Sequence, residues 1–415
     1  MAKKDKGFQF MSLARHIDVD WLRESYKKQK NGKAPGVDGR TKADYAINLE
    51  ENLKVLHTRL KEGRYRAPAV KRVMIPKENG EKRPLGLPTL EDKIVQGAVK
   101  VMLEAIYEQD FYDCSYGFRP KKNCHQAINA IREQSLGMRV KWIIDADISK
   151  CFDSFNHNHL QDMLSIRVKD GSIKRLIGKW LNAGVMDGND IIYPKSGTPQ
   201  GGVISPLLAN IYLHYVLDDW FEKEVKPRCR GKVFLVRYAD DFIIGCAEEE
   251  DAKRIMEVLP KRFERFDLTI HPEKTQLLEF RKPDENDTKG KGNFCFLGFR
   301  FYWSRSREGY WIINKMTDRK RLSRAKRAIH LWCKENRHEP IKEQYKVLKV
   351  KLLGHYQYYG VRGNIRSLNV VYGWTMKCWR KWLNCRGAKA NLTWERFETM
   401  TRSLQLPRPR IVHTI

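Results

Sequence analysis

The amino-acid sequence predicts an α+β fold. Runs rich in β-branched and aromatic residues, at 70–76, 141–148 and 233–246, are interleaved with stretches of helical period such as 91–106 and 249–266. Hairpins join some of the strands, with Asn79-Gly80 as a two-residue turn signal, and interleaving of this kind points to α+β architecture. A composition of 41% hydrophobic and 31% charged residues over 415 positions is that of a globular chain, long enough for two or three domains with cores of their own.

Positions 12–31 set Leu13, Ile17, Trp21, Leu22 and Tyr26 at helical spacing and end in the Gly- and Pro-dense segment 31–39, a loop. A helix is expected over 45–61, then a strand at 70–76 and a return strand interrupted by Pro84 and Pro88. Residues 91–106 regain helical period. Trp142, Ile143 and Ile144 make 141–148 a strand. A loop over 195–202 leads to a helix start, with Ser205 as cap and Pro206 in the first turn. The hairpin 233–246 and a helix over 249–266 follow. Residues 283–293 read as a polar, flexible excursion, and 294–301 resume as strand. Beyond Met316 the pattern is helical and basic to about 337, then helical again over 342–359 and 371–384.

The 79 Lys and Arg against 50 Asp and Glu give a formal net charge of +29. A compact chain so charged repels itself unless a polyanion neutralises it, and nucleic acid is the first candidate. The charge is uneven: residues 301–415 hold 26 Lys or Arg against 7 Asp or Glu, so +19 of the +29 lies there. Phosphate binding through released counterions is the expected work of that region. The nine cysteines are odd in number and show no C-x-x-C spacing; Cys378 and Cys385 lack the further ligands of a zinc module. No stretch approaches the roughly 18 apolar residues of a membrane span. The expectation is a soluble protein of a reducing, prokaryotic cytosol with no membrane partner.

The chemistry is sought at the carboxylates. Asp240 and Asp241 sit at the turn between two apolar strand-like runs, and alternation puts Asp145 and Asp147 on one face of another strand. Carboxylates from two separate strands hold two metal ions about 3.5–4 Å apart in enzymes of phosphoryl transfer. Oxygen ligands suit Mg²⁺. Asp147 with Asp240 meets that need, and Asp145 competes with Asp147. Asp241 and Asp153 are read as supporting carboxylates.

Tyr238-Ala239-Asp240-Asp241 resembles the Y-x-D-D box of reverse transcriptases, and the segment from Asp147 through Phe152 to Asp153 resembles their first catalytic motif. The stretch from Gly197 through Gln200, Gly201 and Gly202 to Ser205-Pro206 is similar to the longer form in group II intron reverse transcriptases, also called maturases. Further blocks follow in the family's order: 34–39, 77–88, Ser115 to Pro120, His271 to Thr275, 296–299 and 353–360.

The resemblance implies a right-hand polymerase of fingers, palm and thumb. Its divisions here are an N-terminal extension over 1–55, fingers and palm over 56–299, thumb over 300–384, and a short basic tail over 385–415. It implies catalytic roles for Asp147, Asp240, Asp241 and Lys274, the last as general acid toward departing pyrophosphate. Two Mg²⁺ ions, for which Mn²⁺ can substitute, are expected at Asp147, Ile148 and Asp240. Lys77 and Arg83 would clamp the triphosphate of a dNTP, Phe152 would exclude a ribose 2′ hydroxyl, and Gln200 and Gly201 would meet the template. Arg119, Arg319, Arg321, Arg324 and Arg327 are the expected nucleic-acid contacts. Most aromatics of 356–382 are read as core.

The implied partners are a group II intron RNA, an RNA template with DNA primer, target DNA and dNTPs. The implied work is splicing assistance followed by copying of the intron at a nicked target. No endonuclease metal set is seen before Ile415, so cleavage of the second strand is not expected. Two other readings stay open: an RNA-binding splicing factor with a vestigial polymerase site, and a domesticated reverse transcriptase of phage defence or DNA repair.

Overall fold

The computed structural model describes residues 2–5, 7–76, 82–188, 190–193, 196–198, 201–284, 287, 290–387 and 391–414. Its helices and strands form two compact units. One comprises residues 1–123, 146–244 and 250–276, the other 124–145, 245–249 and 277–415.

In the first unit the helix Val19–Lys28 is capped by Asp18, which accepts the Trp21 N–H, and buries Leu22 and Tyr26. Thr41 and Asp44 close a capping box on the short helix Lys42–Ala46. The strands Val70–Pro76 and Lys82–Leu87 pair antiparallel, and the second runs straight through Pro84, opposite Met74. The interruption expected there is absent because Lys82–Leu87 is the edge of its four-stranded sheet, where a missing N–H breaks no ladder. Thr89 caps the helix Leu90–Tyr107, which buries ten side chains.

Two helices, His157–Arg167 and Gly171–Leu181, lie where the sequence reading placed none. The helix Ser205–Leu213 begins as expected with Pro206 in its first turn, but Ser205 is not the cap. Its hydroxyl accepts instead from the Thr198 hydroxyl at 2.8 Å. The helix then widens into π turns over His214–Asp218 and Phe221–Val225.

The central sheet has the order Val233–Tyr238, Asp241–Cys246, Trp142–Ser149, Thr269–Ile270, with Gln276–Glu279 also pairing onto Trp142–Ser149. Its strands are buried apolar runs: in Val233–Tyr238 every side chain but the last is buried.

The second unit carries the helix Cys124–Gly137 and a three-stranded antiparallel sheet of Asn293–Phe296, Phe299–Arg305 and Trp311–Thr317. The single strand expected at 294–301 is a hairpin, turned at Leu297 and Gly298 with φ of 49° and 78°. Two left-handed residues are what a two-residue hairpin loop needs. The helices Arg319–Glu335, Ile341–Tyr359, Ile365–Asn384 and Trp394–Met400 follow, around a core that includes Ile329, Leu348, Leu352 and Trp379. Tyr356 is buried in it, and Tyr359, Tyr372, Trp374 and Trp382 pack against it half-buried, as the core reading of these aromatics required. All nine cysteines are free thiols. Among the described residues no helix is long and apolar enough to cross a membrane.

Candidate active site

Asp240 stands in the two-residue link between Val233–Tyr238 and Asp241–Cys246, directly after Ala239, whose φ of 58° is left-handed. Asp147 lies on the neighbouring strand, half-buried. Beside it Ile148 is buried and paired with Ile270. The chain leaves Ile270 through His271, whose N–H donates to the Asp147 carbonyl at 2.8 Å. The His271 carbonyl then accepts the N–H groups of Lys274 and Thr275, and this turn brings the lysine back over the strand. Its ammonium donates to Asp147 Oδ2 at 2.5 Å.

The site is electrostatically coupled. Burial raises the Asp240 carboxyl above the usual carboxylate range, and the Asp147 charge adds to the rise, while Arg83 and Lys274 oppose it. Lys274 is held above the ordinary lysine value by its hydrogen bond to Asp147 and by the charges of Asp147, Asp241 and Asp240. Three carboxylates, Arg83 and Lys274 therefore share one field. Asp145, earlier on the strand, is one of the charges acting on the Cys295 thiol, which burial above all pushes up to about 12. Alternation left Asp145 and Asp147 equal; it is Asp147 that meets Lys274 and acts on Asp240.

The turn rests on a residue that sequence reading missed. Arg237 is fully buried, and all five of its side-chain N–H groups are matched by acceptors. Nε and Nη2 donate to the two oxygens of Asp218 at 2.8 and 2.6 Å, Nη2 also to Ser115 Oγ at 2.8 Å, and Nη1 to Asn210 Oδ1 and the Ala239 carbonyl, each at 3.0 Å. Asn210 in turn donates to the Gly117 carbonyl at 2.7 Å. Gly117 has no room for a side chain, because a Cβ there would stand 2.3 Å from the Ala239 nitrogen. The available signal was a lone arginine inside an apolar strand run, since a charge so placed is buried only when paired.

The glycine loop closes another side. Gly197 N–H donates to the Phe155 carbonyl and Thr198 N–H to that of Phe152, at 2.8 and 2.7 Å. Gly201 adopts φ of 116°, and a Cβ on it would meet the Gly86 carbonyl at 2.3 Å, so the loop lies against the strand that carries Arg83. Phe152 is half-buried beside Phe155, with ring centroids 6.2 Å apart. Asp153 is exposed, and its carbonyl accepts from the Ser196 hydroxyl. Lys77 and Gln200 lie outside the described residues.

Of the expected nucleic-acid contacts, Arg319, Arg321 and Arg327 are exposed on the helix Arg319–Glu335 and Arg324 is half-buried. A groove of about 480 Å³ beside them is lined by Lys326, Arg327, Lys377 and Lys381, with His330 and Trp374. Arg119 must be reassigned. Its side chain is only 4% exposed, bridges Glu108 at 3.0 Å, and donates to the carbonyls of Tyr112 and Ser115. A guanidinium so enclosed and bridged to Glu108 is engaged in holding its own loop.

The residues present fit a divalent cation. Asp240 and Asp147 press like charges together in a half-buried place, which a cation relieves. Among the described residues no three His, Cys, Asp or Glu gather closely enough to enclose a metal. Two carboxylates with water and substrate phosphate completing the shell is the arrangement Mg²⁺ favours over a protein cage.

A sheet hairpin whose carboxylates share a field with an aspartate of the adjoining strand, inside a strongly cationic chain, is the arrangement expected of a nucleic-acid polymerase. Residues 75–301 match the family described as reverse transcriptase (RNA-dependent DNA polymerase), and the chain belongs to that family. It is 34% identical over 348 residues to protein YkfC of Escherichia coli, covering 74% of this chain and 87% of that one. It is 39% identical over 224 residues to the group II intron-encoded protein LtrA of Lactococcus lactis, 51% of this chain but only 37% of LtrA. Nuclear intron maturase 4 of Arabidopsis thaliana is 29% identical over 151 residues, 36% of this chain and 19% of that protein. The chain is thus a member of the reverse transcriptase family that is similar to a group II intron-encoded protein, and its match spans just over a third of LtrA's length.

Proposed function

We propose that the chain binds a group II intron RNA, assists its splicing, and copies it into DNA at a target site with Asp147 and Asp240 as the metal-holding pair. The observation that carries this reading is the convergence of Asp147, Asp240, Asp241 and Lys274, from three separate chain segments, in one electrostatic field. Asp147 and Asp240 would hold Mg²⁺, with Ile148 beside them. The metal, when bound, supplies activation of the primer 3′ hydroxyl and neutralisation of the departing pyrophosphate.

The chain's own groups do the rest. Lys274, protonated and next to Asp147, stands ready to give a proton to the leaving group. Arg83, and Lys77 before it in sequence, bring positive charge to the triphosphate. Phe152 sets the bulk met by the sugar, while Gly201, and Gln200 before it in sequence, would meet the template. In this reading residues 56–299 form fingers and palm after an extension over 1–55, the helices to 384 form a thumb, and 385–415 a basic tail. Arg319, Arg321, Arg324 and Arg327 then grip phosphate without reading sequence.

The test is extension of a DNA primer on RNA with dNTPs and Mg²⁺, together with splicing of a group II intron RNA at a Mg²⁺ concentration too low for unaided splicing. Extension abolished by chelation, and splicing restored by the protein, support the proposal. Extension without assisted splicing would remove the maturase half, and failure of both would overturn the whole.

A further inference from the structure

We propose that Arg237 is a positioning residue for the polymerase site, a buried guanidinium that fixes the left-handed turn at Ala239 and thereby sets where Asp240 meets its metal. This deepens the reading above and rests on its assignment of Asp240.

Two facts make Arg237 more than core filling. First, one of its hydrogen bonds goes to the Ala239 carbonyl, the residue immediately before Asp240. Ala239 holds φ of 58°, a conformation that disfavours an L residue by about 1–2 kcal/mol and persists only when its surroundings impose it. Second, the bonds that orient the guanidinium come from distant parts of the chain: Asp218 from a π turn, Asn210 from the preceding helix, and Ser115 from a loop.

That loop is itself laid along the strand. Ser115 bridges Arg237 in parallel, Arg237 N–H donates to the Cys114 carbonyl, and Tyr116 N–H donates to the Arg237 carbonyl. Gly117 then presses on the Ala239 nitrogen. The turn is clamped between Arg237 on one side and Gly117 on the other. Such a clamp matters because supporting contacts around a metal ligand are typically worth 10–100-fold in metal affinity. A lysine at 237 keeps the charge but lacks the planar fork, so it cannot hold both Asp218 oxygens and the Ala239 carbonyl together.

The test uses the full chain and three variants, each checked for a cooperative thermal transition. Mn²⁺ binding is counted by electron paramagnetic resonance without nucleotide, and primer extension on RNA is measured separately. Arg237→Lys is expected to weaken Mn²⁺ binding about tenfold or more. Arg237→Met with Asp218→Leu removes both buried charges, a replacement that often preserves or raises stability, and is expected to show the same weakening in a folded chain. Ala239→Gly in the Arg237→Lys background allows the left-handed turn without a clamp and is expected to recover part of the loss.

Wild-type Mn²⁺ binding in a folded variant lacking Arg237 overturns the proposal, as does a defect that Ala239→Gly leaves untouched. Failure of all three variants to fold overturns it too, since Arg237 would then serve the fold as a whole. If instead the wild-type chain neither binds Mn²⁺ nor extends a primer, it is the assignment of Asp240 that fails.

Discussion

The ammonium of Lys274 lies 2.5 Å from Oδ2 of Asp147, a contact between residues 127 positions apart in the chain. The lysine side chain is 60% exposed, so the pair adds little to stability. Lys274→Ala should leave the melting temperature nearly unchanged while lowering kcat for extension about 10²–10⁴-fold, the range of a lost general acid. Because its pKa is raised, Lys274 stays protonated well above neutrality, and the rate profile near neutral pH should show no limb from it. Stopped-flow extension beside thermal melts checks both statements.

Asp240 predicts an opposition between stability and activity. Its folded pKa is raised, so the folded state holds the proton more tightly than the unfolded chain. The stability this contributes is complete below the ordinary Asp value of about 3.9 and is lost as pH rises through the raised value. At neutral pH the carboxylate is therefore destabilising in the metal-free chain. Asp240→Asn should melt higher than wild type at neutral pH, with the difference shrinking as pH falls into that window, yet be inactive. Melting curves across pH without divalent metal provide the measurement.

Gly117→Ala places a methyl where the Ala239 nitrogen stands, at 2.3 Å. The turn must shift, at about 1–3 kcal/mol for such overpacking. Extension should fall more than stability alone explains, because the shift moves Asp240 directly. Urea unfolding alongside extension rates separates the two effects.

Arg119 and Arg327 should part company. Loss of the enclosed Arg119 takes a donor from Glu108 and from two carbonyls, and Arg119→Ala should destabilise the chain by about 3 kcal/mol with no change in the salt dependence of RNA binding. Arg327→Ala should leave stability alone and lower the salt slope by about one. Titrations at several salt concentrations distinguish them.

Much of this was legible in sequence because the signals are local. The hairpin around Asp240, the Pro206 helix start and the basic helix with Leu322 and Ile329 on its inner side each follow from spacing within a few residues. Alternation alone did not choose Asp147 over Asp145, since both share a face; the motif resemblance pointed to Asp147, and in the fold it is Asp147 that the distant Lys274 meets. Arg119 was misread. A guanidinium beside glycine and proline looks exposed until Glu108 and the Tyr112 carbonyl are brought to it. Arg237 escaped notice because its partners at 115, 210 and 218 meet only in the fold.

The most direct measurement is the rate of primer extension on an RNA template with Mg²⁺ by Asp147→Asn and Asp240→Asn, taken where template–primer binding is saturated. Loss of at least about a thousandfold in each, with hybrid affinity unchanged, is the result expected of carboxylates that hold the reacting centre. Extension within tenfold of wild type by either variant would contradict the assignment of this pair as the catalytic site.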